Sequence, residues 1–286
     1  MHLTGQRILI TRATSQADSF KLALEAAGAR PILIPVIEIK EPASWEPFDK
    51  ALAELSAYDW VIFASTNAVR SFVERMEAKS IPKGNLANTK IGAIGEATAG
   101  LLKEHSIKVD FSPDKFVAEN FIAQFPDGDN MNGLKILWPR TNVGRTLIAD
   151  EFTASGATVD TIEAYRTDLP DNAEELSKRL FDLCNGKQLD LITFASSQTV
   201  KNFHRLLKMG LVNYARTKGY IVNPDSTALD ASASNLLSGI AIATIGPVTA
   251  RTARHHYKNV QIEADTHTIE GLLKAIGNYY STTSES

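Results

Sequence analysis

Short polar and basic residues recur directly after the apolar runs that are typical of buried strands. The stretch Phe63-Ala-Ser-Thr-Asn67 ends one such run and opens a helical pattern, and Phe194-Ala-Ser-Ser-Gln198 does the same. Hydroxyls, amides and guanidinium groups beside the free N–H groups of a helix N-terminus suit an anionic ligand. The residues that we predict to bind such a ligand are Arg12, Ser65, Thr66, Asn67, Gly95, Thr98, Arg140, Ser196, Ser197 and Thr249.

The same residue types have a second explanation. Ser, Thr and Asn are the preferred N-cap residues, so any one of these positions is explained at least as well by helix capping. Their recurrence in six loops, arranged in two matching sets, favours a shared ligand site. Motifs for several other ligands are missing from the sequence, namely Gly-x-Gly-x-x-Gly, Gly-x-x-x-x-Gly-Lys-Ser/Thr, His-x-x-x-His and Cys-x-x-Cys. We therefore predict no dinucleotide, no nucleoside triphosphate and no metal.

The composition is that of an ordinary globular protein with two domains. The chain has 286 residues, of which 44% are hydrophobic and 22% charged, and its net charge is −3 with no polybasic stretch. We therefore expect no nucleic-acid partner. No apolar run reaches the roughly 18 residues of a membrane span, and the N-terminus has no signal-peptide pattern. The single cysteine, Cys184, indicates a reducing compartment and a buried apolar role. These features predict a cytoplasmic protein that does not bind membranes, and nothing demands more than a monomer.

Much of the sequence is repeated within the chain. The segment at 59–72 recurs at 190–203, a spacing of 131, and the segment at 91–99 recurs at 242–250, a spacing of 151. The opening strand-like run at 7–12 recurs at 135–140, a spacing of 128. This internal duplication predicts two α/β units of five β-α steps, each a flavodoxin-like or Rossmann-like parallel sheet with helices on both faces. Within it we predict a second strand at 31–39 and a mobile loop at 223–235.

The duplication also marks where the two halves differ. At the spacing of 128, Tyr165 takes the place of Ile37. Since one asymmetric reaction tends to use residues that the halves do not share, Tyr165 is a candidate proton donor. An aromatic ring that packs between domains is an equally good interpretation.

The residues resemble the uroporphyrinogen-III synthase family over essentially the whole chain. The likeness lies in the order and spacing of short segments. They are 8–12, 35–38, 63–70, 93–98, 164–166, 194–197 and 245–250. Two departures are Ala13, where the family often has proline, and the long segment at 213–240.

The resemblance implies a discontinuous domain and a two-stranded linker. One domain would combine residues 1–35 with 171–286, the other would span 43–163, and linker strands would lie at 36–42 and 164–170. Periodicity alone would divide the chain into 1–130 and 131–286. The matching prolines Pro42 and Pro170 favour the first arrangement.

The resemblance further implies a lyase that acts on hydroxymethylbilane, a linear tetrapyrrole with eight carboxylates. The product is uroporphyrinogen III, formed with loss of water and inversion of the last ring, without a metal or organic cofactor. Tyr165 would be the proton donor to the leaving hydroxyl, and the residues at the strand ends would hold carboxylates. Two rival interpretations are a non-catalytic two-domain protein that binds an anionic metabolite and a glycosyltransferase-like enzyme. The absence of nucleotide motifs disfavours the second rival.

Overall fold

The computed structural model describes residues 3–283, which form two compact units. The chain leaves the first unit after Glu38 and returns to it at Asp168. We call this first unit the split unit, since it contains both ends of the described chain. The second, which we call the middle unit, comprises Ile39–Thr167.

The split unit contains a five-stranded parallel sheet. Its strands, in spatial order, are β10 (Ile262–Glu263), β9 (Ala241–Thr244), β8 (Leu191–Phe194), β1 (Arg7–Ile10) and β2 (Arg30–Leu33). Alternate side chains of these strands point to opposite faces, as in any pleated strand. Leu9, Ile192 and Phe194 lie in one core, and Ile8 and Leu191 lie in the other.

Helices cover both faces of this sheet. They are α1 (Asp18–Ala26), α7 (Ala173–Asn185), α8 (Ser197–Thr217), α9 (Thr227–Leu236), α10 (Pro247–Tyr257) and α11 (Ile269–Thr283). Helices α7 to α10 contribute to the core that holds Leu9, and α1 and α11 contribute to the core that holds Ile8. Strands buried on both faces explain the continuous apolar runs in the sequence.

The middle unit repeats this design. Its sheet contains, in spatial order, β3 (Glu38–Lys40), β7 (Thr158–Asp168), β6 (Lys135–Thr141), β4 (Trp60–Phe63) and β5 (Lys90–Ala93). The helices are α2 (Glu46–Ala53), α3 (Thr66–Ala78), α4 (Glu96–Glu104), α5 (Ala118–Ala123) and α6 (Leu147–Ala154). Val61 and Phe63 pack with α2, α3 and α4, whereas Trp60 and Ile62 pack with α5 and α6.

The two sheets have the same strand order once the sequence repeat is applied. Strands β1 and β2 correspond to β6 and β7 at the spacing of 128, β8 to β4 at 131, and β9 to β5 at 151. Even the outermost pairing is shared, since Ala243 pairs with Ile262 where Gly92 pairs with Phe111. Both sheets therefore follow the flavodoxin-like order 2-1-3-4-5, with β3 added at one edge of the middle sheet. The predicted α/β fold with parallel sheets is confirmed, and the repeat is consistent with internal duplication.

Two predicted elements differ from the structure. The single strand at 31–39 is two strands, β2 and β3, which belong to different sheets and are separated by an irregular segment that contains Pro35. The first segment bonds to β1 as far as Val36, whose N–H donates to the Thr11 carbonyl at 3.2 Å, and the strand of the other sheet begins at Glu38. The prediction of a mobile loop at 223–235 is also wrong, because most of this segment is helix α9. Ser226 caps this helix by accepting from the Leu229 N–H at 3.3 Å, and Leu229 and Ala233 bury its apolar face.

Cys184 is buried in the core of the split unit, and burial raises the pKa of its thiol to about 12. A thiol with such a pKa stays protonated and is a poor nucleophile, as the sequence predicts for an apolar role. Between residues 3 and 283 the chain forms no helix with both the length and the apolar composition needed to cross a membrane.

Candidate active site

The polar loops of the middle unit meet at the point where its strand order reverses. Strands β4 and β6 are neighbours in the sheet but are not consecutive in the chain, and the connections that follow them leave in opposite directions. In open α/β sheets this edge, beyond the carboxyl ends of the strands, is the usual ligand site. Ser65 follows β4 here, and Arg140 lies near the end of β6.

Ser65 is the N-cap of helix α3. Its backbone is extended, with φ −159° and ψ 152°, and its hydroxyl oxygen accepts a hydrogen bond from the Ala68 N–H at 3.2 Å. The next two residues, Thr66 and Asn67, are half-buried in the first turn of the helix. Their backbone N–H groups precede the first bond within the helix, from the Val69 N–H to the Ser65 carbonyl at 3.3 Å. The loop therefore combines a cap with free backbone donors.

Tyr165 lies beside this loop because of an irregularity between β6 and β7. The two strands pair residue by residue up to Arg140 with Glu163, and then the register shifts so that Thr141 pairs with Tyr165. Such a bulge turns a side chain that regular pairing would direct elsewhere. The phenol is only 7% exposed, and its hydroxyl oxygen lies 3.1 Å from the Ser65 Oγ.

Three neighbours of Tyr165 act on its ionisation. Burial raises the pKa of the phenol above its ordinary value of 10.0. The Ser65 hydrogen bond, the positive charge of Arg140 and a hydrogen bond with Asn67 oppose this shift. The phenol is therefore neutral at physiological pH, in surroundings that would stabilise a negative charge on its oxygen.

Arg140 is held in place by its own strand and loop. Its guanidinium carbon lies 4.6 Å from the centre of the Trp138 ring, and its Nη2 donates to the Val143 carbonyl at 3.1 Å. Burial lowers the pKa of Arg140, whereas Tyr165 and Asp150 raise it. Trp138 and Val143 are neutral, so the charge remains available to the phenol or to an anionic ligand.

Gly95 and Thr98 lie after the neighbouring strand β5. Gly95 is the N-cap of α4 with φ +116°, a conformation that L side chains rarely adopt. The Thr98 side chain is only 4% exposed, so its hydroxyl offers little to a ligand. The first bond within the helix runs from the Ala99 N–H to the Gly95 carbonyl at 3.0 Å, which leaves the earlier N–H groups free. Any contribution of Thr98 to binding is thus through its backbone.

In the split unit the matching loop after β8 is used for capping. The Ser196 Oγ accepts from the Thr199 N–H at 3.1 Å, and the Ser196 N–H donates to the Thr199 Oγ1 at 3.2 Å, which is a capping box. The Ser197 hydroxyl donates to the Val248 carbonyl at 3.2 Å and accepts from the Thr252 hydroxyl at 3.0 Å. Both predicted binding serines therefore already have protein partners for their side chains.

The other two predicted residues of the split unit lie on adjoining strands. Arg12 follows β1, where burial lowers the pKa of its guanidinium and Glu270 raises it. Thr249, which is 5% exposed, lies in the first turn of α10 after the N-cap Gly246. The Ala250 N–H donates to the Gly246 carbonyl at 2.9 Å as the first bond of this helix.

The structure thus brings Ser65, Asn67, Arg140 and Tyr165 together, and it places the remaining residues of each unit at the carboxyl edge of that unit's own sheet. One residue at this edge was missed by the sequence analysis. His267 lies directly against Gly246 in the split unit. The spacing of 151, which pairs it with Phe116, is a signal that could have found it. Within residues 3–283 the structure contains no cluster of three or more His, Cys, Asp or Glu side chains arranged as metal ligands.

Comparison with known proteins decides the family. A profile described as uroporphyrinogen-III synthase HemD matches residues 18–274. The chain belongs to the uroporphyrinogen-III synthase family. It is 34% identical to a uroporphyrinogen-III synthase of Synechococcus elongatus, over 96% of this chain and 95% of that relative.

Two solved structures of uroporphyrinogen III synthases share the fold. A mutant of the Thermus thermophilus protein matches with a TM-score of 0.66 and 19% identity, over 97% of this chain and 100% of that one. The Helicobacter pylori protein matches with a TM-score of 0.55 and 15% identity, over 96% and 99%. The family match includes every predicted site residue except Arg12, which precedes it.

Proposed function

We propose that this chain is a lyase of tetrapyrrole biosynthesis that closes hydroxymethylbilane to uroporphyrinogen III with loss of water and inversion of the last ring. The observation that carries this proposal is the buried phenol of Tyr165, held 3.1 Å from the Ser65 hydroxyl in a member of this family. The alternative, a binding protein for an anionic metabolite, gives no reason for a neutral phenol placed beside an arginine.

Tyr165 supplies the proton for the first step. The C–O bond of the substrate's hydroxymethyl group breaks, its electron pair leaves with the oxygen, and the phenol proton converts the leaving hydroxide to water. The pyrrole nitrogen supplies the electrons that form the reactive azafulvene. Burial, which raises the pKa of Tyr165, keeps the phenol protonated before the step.

The Ser65 hydroxyl assists the same step. When it donates to the phenol oxygen, the phenol proton is left free to move to the substrate, and the new phenolate has a donor. The positive charge of Arg140 lowers the pKa of Tyr165 and so stabilises the same phenolate. To invert the last ring, the azafulvene carbon first bonds to the ring carbon that already carries the bridge, and the bond from that ring carbon to the bridge carbon then breaks. The bridge carbon closes the macrocycle at the free carbon of the same ring, and the proton lost from that carbon returns the phenol to its neutral form.

The remaining residues hold the substrate in the shape that leads to the inverted product. Arg12, Thr66, Gly95, Thr98, Ser196, Ser197 and Thr249 would hold its carboxylates, mainly through backbone N–H groups at the first turns of α3, α4, α8 and α10. A flexible substrate gains most from such positioning, because the ring closes by the inverted route only in one folded conformation. Elimination of water and carbon–carbon bond formation involve no net redox change, so the proposal includes no metal or organic cofactor.

Product analysis tests the proposed function. Purified protein is mixed with hydroxymethylbilane, the products are oxidised, and the type I and type III isomers are separated. We expect the type III isomer to dominate, whereas closure without the protein's control gives type I. Type I product alone, even with measurable binding of the substrate, would favour the binding-protein alternative.

We also propose that the protein is a cytoplasmic monomer without a nucleic-acid partner. The net charge of −3 and the mixed distribution of acidic and basic residues support the absence of a nucleic-acid partner, and the single buried cysteine fits a reducing compartment. Sedimentation of the purified protein at several concentrations tests it, since a monomer keeps one mass of about 31.2 kDa.

We propose that the two units correspond to two folding domains, residues 1–35 with 171–286 and residues 43–163, joined by linkers at 36–42 and 164–170. The passages of the chain between units, after Glu38 and after Thr167, support these boundaries. Native-state hydrogen exchange of the whole protein tests the proposal, because the amides of one folding domain should open together and separately from those of the other.

A further inference from the structure

His267 and Phe116 are equivalent residues in the two units. The pairs Ala243–Ile262 and Gly92–Phe111 correspond at the spacing of 151, and His267 and Phe116 each follow five residues later. Each then lies two residues before the last helix of its repeat, α11 or α5. Phe116 is 50% exposed, whereas the split unit has an imidazole in the same place. The two units therefore present different chemistry at one shared position.

Gly246 allows the His267 ring to lie against the loop after β9. A methyl group added to Gly246 would be 2.6 Å from Cδ2 and 3.0 Å from Nε2 of the ring, closer than side chains pack. The backbone of Gly246 is extended, with φ 168° and ψ −179°, so it does not itself require glycine. At its counterpart Gly95, the backbone φ of +116° favours glycine, but there is room for a side chain. A methyl group added there would be 3.5 Å from its nearest neighbour, Thr98 Oγ1.

The ring is thereby placed at the N-terminus of α10. Pro247 has no N–H group, so this helix offers fewer backbone donors in its first turn than α4, which has Glu96 at the same position. The His267 side chain makes no hydrogen bond with any residue between 3 and 283, and it is exposed. The imidazole, which lies against the N-cap Gly246, supplies an N–H donor at a helix start where Pro247 lacks one.

We propose that His267 binds a carboxylate side chain of the substrate at the N-terminus of α10. This inference rests on the proposed function and deepens it, because it assigns a side-chain donor to a half-site whose serines already have protein partners. Arg12 follows β1 at the carboxyl edge of the same sheet, so its guanidinium is a further donor for an anionic group at this edge. His267 binds and orients the substrate, while the proton transfer belongs to Tyr165.

Two single variants and their combination test the assignment. His267→Ala removes the donor, and Gly246→Ala displaces the ring while leaving the histidine present. We expect each to raise the KM for hydroxymethylbilane by about 10-fold with a much smaller effect on kcat, as for the loss of a hydrogen bond to a charged group. The double variant should be no worse than either single one, because both remove the same contact. His267→Gln, which keeps an N–H donor, should recover part of the loss.

His255→Ala is the matched control, since His255 is exposed near the opposite end of the same helix. Its KM should equal that of the wild type, and the melting temperatures of all variants should agree. If His267→Ala still makes the type III isomer and its KM is within about 2-fold of wild type, the role of His267 is overturned and the proposed function stands. Absence of the type III isomer from wild-type reactions would overturn the proposed function and this inference with it.

Discussion

The two copies of the Phe-Ala-Ser loop use their serines in different ways. In the split unit, Ser196 and Thr199 satisfy each other in a capping box. In the middle unit, the residue equivalent to Thr199 is Ala68, which provides only its backbone N–H to Ser65. The Ser65 hydroxyl thus keeps capacity for a second partner, and that partner is the phenol of Tyr165 at 3.1 Å.

This difference shows how duplication can separate structure from chemistry. Both units retain the strand, the tight loop and the N-capped helix, because each half needs them to fold. Two differences between the halves, Ala68 in place of Thr199 and Tyr165 in place of Ile37, accompany the contact between this loop and a phenol. Shared residues explain the fold and supply Ser65 and Arg140, and Tyr165, which the halves do not share, supplies the proton in the proposed reaction.

The largest expected effect comes from removing the phenol oxygen of Tyr165. Tyr165→Phe should lower turnover by about 10- to 10⁴-fold, the usual contribution of a general acid, with little change in KM. Single-turnover kinetics with hydroxymethylbilane measure it. Tyr58→Phe is the matched control, since Tyr58 is a buried tyrosine of the same unit whose hydroxyl donates to Asp160 at 2.7 Å. If both variants keep wild-type turnover, Tyr165 has only a packing role.

A smaller effect should distinguish the two serines. Ser65→Ala and Ser196→Ala each remove an N-cap and should each lower the free energy of unfolding by about 0.5–2 kcal/mol, measured by urea titration. Only Ser65→Ala also removes the hydrogen bond to the proton donor, which should slow turnover by roughly 3- to 10-fold more than Ser196→Ala does. Equal slowing by both variants would mean that the two loops play the same part.

The smallest expected effect is on the pH dependence. A general acid must be protonated, so its activity is lost as pH rises through its pKa. Burial raises the pKa of Tyr165 above the ordinary 10.0, so wild-type turnover should not fall on its account between about pH 7 and about pH 10. Arg140→Gln removes a charge that lowers this pKa, so it should slow the reaction without bringing such a fall into this range. A fall within this range that is absent from Tyr165→Phe would show that Tyr165 titrates there, and would contradict the raised pKa.

The sequence predicts the fold well because the repeated segments coincide with buried strands. The spacings of 128, 131 and 151 align β1, β8 and β9 with β6, β4 and β5, and buried strands have apolar runs that are easy to find. Helix α9 was missed because its Ser, Asn and Asp residues resemble a turn, while its Leu229 and Ala233 face the core. Short polar residues on an exposed helix face are compatible with either structure.

The site is harder to predict because it depends on contacts distant in sequence. Tyr165 and Ser65 can both be selected from the sequence, but their 3.1 Å approach depends on the register shift between Arg140 and Thr141, which no local pattern shows. The sequence likewise gives no sign that Thr98 is buried or that the Ser197 hydroxyl bonds to Val248. Polar residue types identify the edge of the sheet, and packing decides which of their side chains face a ligand.

The central claim is that Ser65 and Tyr165 act together in one proton transfer. A double-mutant cycle on turnover is its most direct test. If the two hydroxyls serve one proton transfer, Ser65→Ala should have almost no effect in a Tyr165→Phe background, within about 2-fold. If Ser65→Ala slows the Tyr165→Phe protein by the same factor as it slows the wild type, the two residues act independently. That result would contradict the account.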